Sequence, residues 1–184
     1  MRIKLLLLLA AVFFVASSSN LCAQTDGKKR EVGVQFGSLN FNSFNALYRK
    51  QKSENVYRRI RATFGNLGYA STEDETNLRF NAGLAIGREK RKTLDRKLEF
   101  YRGPEVNVGL DIIIGDTDGR FGVNAGFGYV LGLQHSFSDL WAIHLETIPS
   151  IGARFRIGDN SQSDIFTVDA GFSSAVSLGV VRKF

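Results

Sequence analysis

Cysteine is almost missing from this chain of 184 residues: the one copy, Cys22, lies in an N-terminal segment that reads as a removable leader. Without it the remainder can form no disulfide, even in a compartment that would permit one. Proline occurs twice, so few positions lack the backbone donor that a sheet requires. Beyond the leader no apolar run approaches the roughly 20 residues that a spanning helix needs. Charge of one sign is not in strong excess either. The formal net charge is +6, and two of those charges are Arg2 and Lys4 of the leader. That balance supports no nucleic-acid role, and a leader for export argues against one.

The leader itself is plain. Arg2 and Lys4 form a basic start, Leu5 to Ala16 an apolar core too short to span, and Ser17 to Ala23 a small, polar exit. Residues 1–23 are therefore expected to be a signal peptide cleaved after Ala23, with residues 24–184 forming one domain. Cys22 raises the alternative of a lipid anchor, but Ser19-Asn20-Leu21 is a poor match to the small residues that lipid attachment prefers.

The rest of the chain alternates. Turn-rich stretches divide it into eight segments, near Arg30–Leu39, Asn45–Gln51, Val56–Leu67, Leu78–Arg88, Leu98–Ile114, Arg120–Gln134, Leu140–Ile157 and Ile165–Phe184. The second is the weakest. Asp116-Thr-Asp-Gly119 and Gly158-Asp-Asn-Ser161 carry strong turn chemistry. Pro149 removes a ladder donor and marks a bulge or bend.

Parity within the segments decides between a membrane barrel and a soluble sandwich. One face collects Ile60, Ala62 and Phe64; Leu78, Phe80, Leu84 and Ile86; Val106, Val108 and Leu110; Phe121, Val123, Phe127 and Leu131. The other face collects the charges and the glycines, among them Gly33, Gly83, Gly109, Gly126, Gly132 and Gly179. Glycine on a solvent face would only weaken a sandwich strand. Inside a narrow closed barrel each glycine makes room for a large neighbour, because eight strands leave an interior just wide enough for side chains. An apolar outside and a polar inside define the membrane class. The fold class expected is all-β: an eight-stranded, antiparallel, up-and-down transmembrane barrel. An even strand count returns both chain ends to the same, periplasmic side.

The inward face offers a charge network. Arg59, Arg61, Arg79, Arg154 and Arg156 face Glu99, Glu105, Asp111, Glu146 and Asp169, with His144 beside Glu146. Near balance suggests ion pairs that fill the lumen; a gated or selective pore is the functional alternative. His144 and Glu146 could orient an imidazole for acid–base chemistry, but no convincing nucleophile stands near them. Asp116-Thr-Asp118 lacks the full ligand series of a calcium loop, and Gly126-Phe-Gly128 precedes no helix and is no nucleotide fingerprint. Catalytic, metal and cofactor sites are therefore expected to be absent. The basic run Arg88-Glu-Lys-Arg-Lys92, with Arg96 and Lys97, is expected to be a solvated periplasmic turn, with phosphate binding as the alternative. Thr72-Glu-Asp-Glu75 reads as an acidic outer loop. Phe100 and Trp141 near one membrane interface, and Phe64, Phe80 and Phe121 near the other, suit two aromatic girdles.

The leader, the outward aromatics, the glycine-rich inward faces and the terminal Phe184 on its apolar strand together resemble the small eight-stranded outer-membrane β-barrel family, of the OmpA/OmpX/OmpW type. The resemblance covers about Glu31–Phe184. It implies an integral bacterial outer-membrane protein, monomeric, with Phe184 as the assembly signal read by the barrel-assembly machinery. Arg182 departs from that signal's apolar pattern. The expected partners are outer-membrane lipid and lipopolysaccharide. The expected role is non-enzymatic: envelope structure or loop-mediated interaction, with a narrow OmpW-like channel for small or apolar solutes as alternative and a lipid-modifying enzyme third.

Overall fold

In a computed structural model the described residues are 29–37, 43–71, 76–115, 119–158 and 165–184. They form strands β1 (Arg30–Phe36), β2 (Ser43–Ser53), β3 (Val56–Ser71), β4 (Thr76–Asp95), β5 (Leu98–Gly115), β6 (Arg120–Ser136), β7 (Trp141–Gly158) and β8 (Ile165–Lys183). Each strand pairs antiparallel with the next, and β8 returns to β1 to close the ring. Closure leaves no unpaired edge, which a chain crossing hydrocarbon must avoid. The signal peptide expected at 1–23, the Glu73 loop and the turn at Asp116–Asp118 lie outside the described residues, as does most of the turn following Gly158.

The strands alternate as their sequences do. Exposed apolar side chains such as Leu84, Ile86, Val106, Val108, Phe127, Ile143, Val168 and Val180 cover the outer wall. Polar and small residues point inward. The chain is thus a transmembrane β-barrel, apolar outside and polar within.

Glycine sets how much the lumen can hold, through close approach across the ladder. Gly132 lies opposite Tyr101, and a methyl group there would overlap the Tyr101 ring. Gly179 lies opposite His144 and stands in the same relation to its imidazole. Gly109 faces Asn124, and Gly126 faces Asn107. A large inward residue on one strand is accommodated by the absence of one on the next.

Several expected boundaries move: β1 ends at Phe36 rather than Leu39, and β3 runs to Ser71 rather than Leu67. The connection read at Glu89–Lys97 is mostly strand, since β4 continues to Asp95 and only Arg96–Lys97 turn. Dense charge there suggested a solvated turn, yet alternation carries straight through it: Glu89 and Arg91 are buried inside, while Arg88, Lys90 and Lys92 are exposed outside. The second segment is also longer than read, running from Ser43 to Ser53. Both prolines interrupt pairing. The β4–β5 ladder skips from Gly87↔Glu105 to Lys90↔Arg102 around Pro104, and the β6–β7 ladder skips from Gly128↔Ser150 to Leu131↔Thr147 around Pro149. Beside Pro149 the β7–β8 register also shifts, between Glu146 and Ile148.

Candidate functional site

The half of the lumen nearest the two chain ends holds a continuous layer of buried charge. Arg59 on β3 is at its centre. Its two Nη atoms donate to the two carboxylate oxygens of Glu146 at 2.8 Å each, and its Nε lies 3.1 Å from Glu105. This fork-to-fork geometry is the strong form of an ion pair. Arg49 on β2 donates to Gln134 at 2.8 Å and to Glu31 at 3.3 Å, and its Nε lies 3.2 Å from Glu89. Arg91 on β4 grips both oxygens of Glu31 at 2.7 and 2.8 Å, donates to Glu89 at 2.6 and 2.9 Å, and reaches Glu99 at 3.1 Å. Arg61 pairs with Glu105.

Neutral groups complete the layer. The Tyr101 hydroxyl donates to Glu146 at 3.0 Å, as does Gln35 on β1, and Gln134 donates to Glu31 at 3.1 Å. Two rings stack on guanidinium groups, Tyr57 with Arg91 at 3.8 Å and Tyr101 with Arg49 at 4.7 Å. Side chains from β1 through β7 take part. β8 contributes Val181, which joins Leu47 and Ala142 in a small apolar cluster. Arg49, Arg59, Glu89, Glu105 and Glu146 have fully buried side chains. Charges so withdrawn from water persist only where each is paired and hydrogen-bonded.

The structure sorts the residues picked out by sequence. Arg59, Arg61, Glu99, Glu105 and Glu146 meet in this layer. His144 is buried beside it, but neither ring nitrogen has a hydrogen-bond partner among the described residues. Glu146 instead serves Arg59, Arg49, Tyr101 and Gln35. Arg79, Asp111, Arg154, Arg156 and Asp169 stand toward the other end, half-buried or exposed, and form no ion pair among the described residues. A cleft of about 270 Å³ lies there, bordered by Asn107, Asn124, Ser150, Arg154 and Asp169.

Glu31, Gln35, Arg49, Glu89, Arg91 and Gln134 are the members that sequence reasoning missed. Glu31 and Gln35 share parity with Gly33, and Glu89 and Arg91 share parity with Gly83 and Gly87. Extending those alternations would have found four of them.

Among the other expected positions, Phe64, Phe80 and Phe121 are exposed on the outer wall, with Phe44 stacked on Phe64 at 5.6 Å between centroids. Phe100 and Trp141 are half-buried at the end nearest the termini. Phe184 lies beside Arg182, whose guanidinium is 5.1 Å from its ring. The described residues contain no group of three or more His, Cys, Asp or Glu side chains arranged to hold a metal.

No protein-family model matches the sequence, and no curated protein matches it either. Solved structures do. The chain is similar to a major outer membrane protein from Thermus thermophilus, with a TM-score of 0.53 at 11% identity over 86% of this chain and 100% of that one. It is also similar to Neisserial surface protein A, with a TM-score of 0.51 at 12% identity over 85% of this chain and 94% of that one. At such identities the likeness is one of fold: the small outer-membrane β-barrel that the sequence resembles.

Proposed function

We propose that this protein is an integral outer-membrane barrel, with both termini periplasmic, that acts without catalysis as an envelope-structural element or as a rigid platform for its outer loops. The observation carrying this reading is the buried ion-pair layer. It reaches across the lumen, and at its centre the side chains of Arg49, Arg59, Glu89, Glu105 and Glu146 are fully buried. Glu146, the carboxylate expected to orient His144, is committed to arginine. The outward apolar wall and the outer-membrane barrels of similar fold support the location. Phe184, which directly follows β8, is proposed as the assembly signal.

Two measurements test this. Full-length protein should fractionate with outer membranes and run as a heat-modifiable band, and purified barrel should be nearly silent in planar bilayers. Large, steady, ion-selective conductance would remove the closed-barrel reading.

The cleft beyond the layer favours a second reading, a narrow passage for small or apolar solutes. Such a solute would enter from the loop end and leave sideways where the ladder opens beside Pro149. Solute uptake that depends on Ser150 and Asn124 would support it.

A further inference from the structure

The outer wall is apolar around most of the barrel, but not at the end of β2 to β5 nearest the termini. Here Lys52, Arg58, Arg88, Lys90, Lys92 and Arg102 are all exposed on the lipid-facing side. Strand alternation separates the charges. Three acids of the same strands, Glu89, Glu99 and Glu105, point inward and pair with lumen arginines, while the exposed Asp95 at the end of β4 accepts from the Arg96 backbone N–H. None of these six cations has an ion-pair partner among the described residues.

They are also set against one another. Arg58 lies directly opposite Arg88 across the β3–β4 ladder, and Lys90 opposite Arg102 across β4–β5. Like charges in directly opposed positions repel, so the protein alone leaves this arrangement uncompensated. One strand step toward the membrane centre the wall turns apolar, with Ile60 beside Arg58, Ile86 beside Arg88 and Val106 beyond Pro104. The cations therefore stand where hydrocarbon gives way to headgroups.

The interruption at Pro104 adds a shaped site. A crevice of about 540 Å³ opens on the outer wall, with Lys52, Arg58 and Arg88 contributing its cationic part and Ile86, Val106 and Phe127 its apolar part. A cationic mouth joined to an apolar slot matches an amphiphile with an anionic head.

We propose that this face binds an anionic phospholipid of the leaflet on the terminus side, of the phosphatidylglycerol type. Its headgroup phosphate bridges Arg58 and Arg88, with Lys90 and Arg102 beside them, and an acyl chain lies along Ile86, Val106 and Phe127. Arginine pairs suit this because each guanidinium offers a planar fork to phosphate oxygens. The assignment to that leaflet rests on the orientation proposed above; the binding chemistry does not.

The test is native mass spectrometry of the folded barrel in detergent, with phosphatidylglycerol, phosphatidylethanolamine or inorganic phosphate added. Wild type should retain phosphatidylglycerol over phosphatidylethanolamine. Each basic group near an anionic headgroup is worth about five-fold in affinity, so the triple variant R58Q/R88Q/R102Q should lose retention by on the order of 100-fold. Val106→Trp, which fills the crevice without changing charge, should also weaken retention, and it keeps the test open if the triple variant folds poorly. The turn variant R96Q/K97Q should behave as wild type. Equal retention of the two lipids, displacement by inorganic phosphate, or equal loss in the turn variant would each overturn the proposal. Retention in detergent together with fractionation away from outer membranes would leave the site standing and remove only the cellular reading.

Discussion

The two halves of the lumen are built from the same residue types and solve different problems. Near the termini, arginine and glutamate are fully buried and interlocked, with forks directed at forks and tyrosine rings laid over guanidinium groups. Toward the loops, Arg154 and Asp169 border a cleft among asparagine and glycine, and Asp111 and Arg156 flank Gly122. In the first half charge is structural, because only mutual pairing offsets the loss of hydration. In the second half the charges are half-buried or exposed and stay in contact with water. Composition alone does not distinguish a filled lumen from a wet one; the difference lies in whether partners fall at the same height.

The largest expected effect sharpens that contrast. Arg59→Ala should remove the central cation, leaving, among the described residues, Glu146 with only Arg49, Tyr101 and Gln35 and Glu105 with only Arg61, at a cost of about 3–5 kcal/mol as for other broken buried pairs. Urea unfolding in detergent should show the loss, and bilayer conductance should rise as water enters. Next, Gly132→Ala and Gly122→Ala make the same chemical change in the two halves. At Gly132 the new methyl collides with the Tyr101 ring, whereas at Gly122 its nearest neighbour is the flexible Arg156 side chain at 3.4 Å. An overpacking cost of about 1–3 kcal/mol is expected at the first and little at the second, read as a difference in the heat at which each barrel unfolds on gels. The smallest effect is Arg154→Ala, which should change stability by no more than about 0.5 kcal/mol. A cost equal to that of Arg59→Ala would dissolve the distinction between the halves.

The barrel was legible in the sequence because period-two alternation and the placement of glycine both report which face a residue occupies. The charged layer was legible only in part. Parity identified Arg59, Glu105 and Glu146 as inward, but it identified Arg154 and Asp169 as inward too, and parity carries no information about depth. Depth follows from the stagger between neighbouring strands, a property of the closed ring. Glu89 and Arg91 were hidden for another reason. Five charged residues in a row look like a turn until every second one is seen to have a buried partner. Arg49 belongs to the segment with the weakest alternation, and only the ladder to β1 and β3 fixes its direction.

The seam between the first and last strands has a kinetic meaning. β1 is only seven residues long, and its pairing with β8 runs from Glu31↔Lys183 to Phe36↔Leu178, far shorter than the ladders among β4 to β8. A ring held by backbone pairing alone would part first at this seam. Glu31, however, is clasped from across the lumen by Arg91 of β4 and by Gln134 of β6. Peeling β1 away therefore means drawing a carboxylate out of its guanidinium before any compensating water has arrived. The side chain works as an inner latch: it forms only when the ring closes, and it sets a barrier on the way out at the place where the ladder is thinnest.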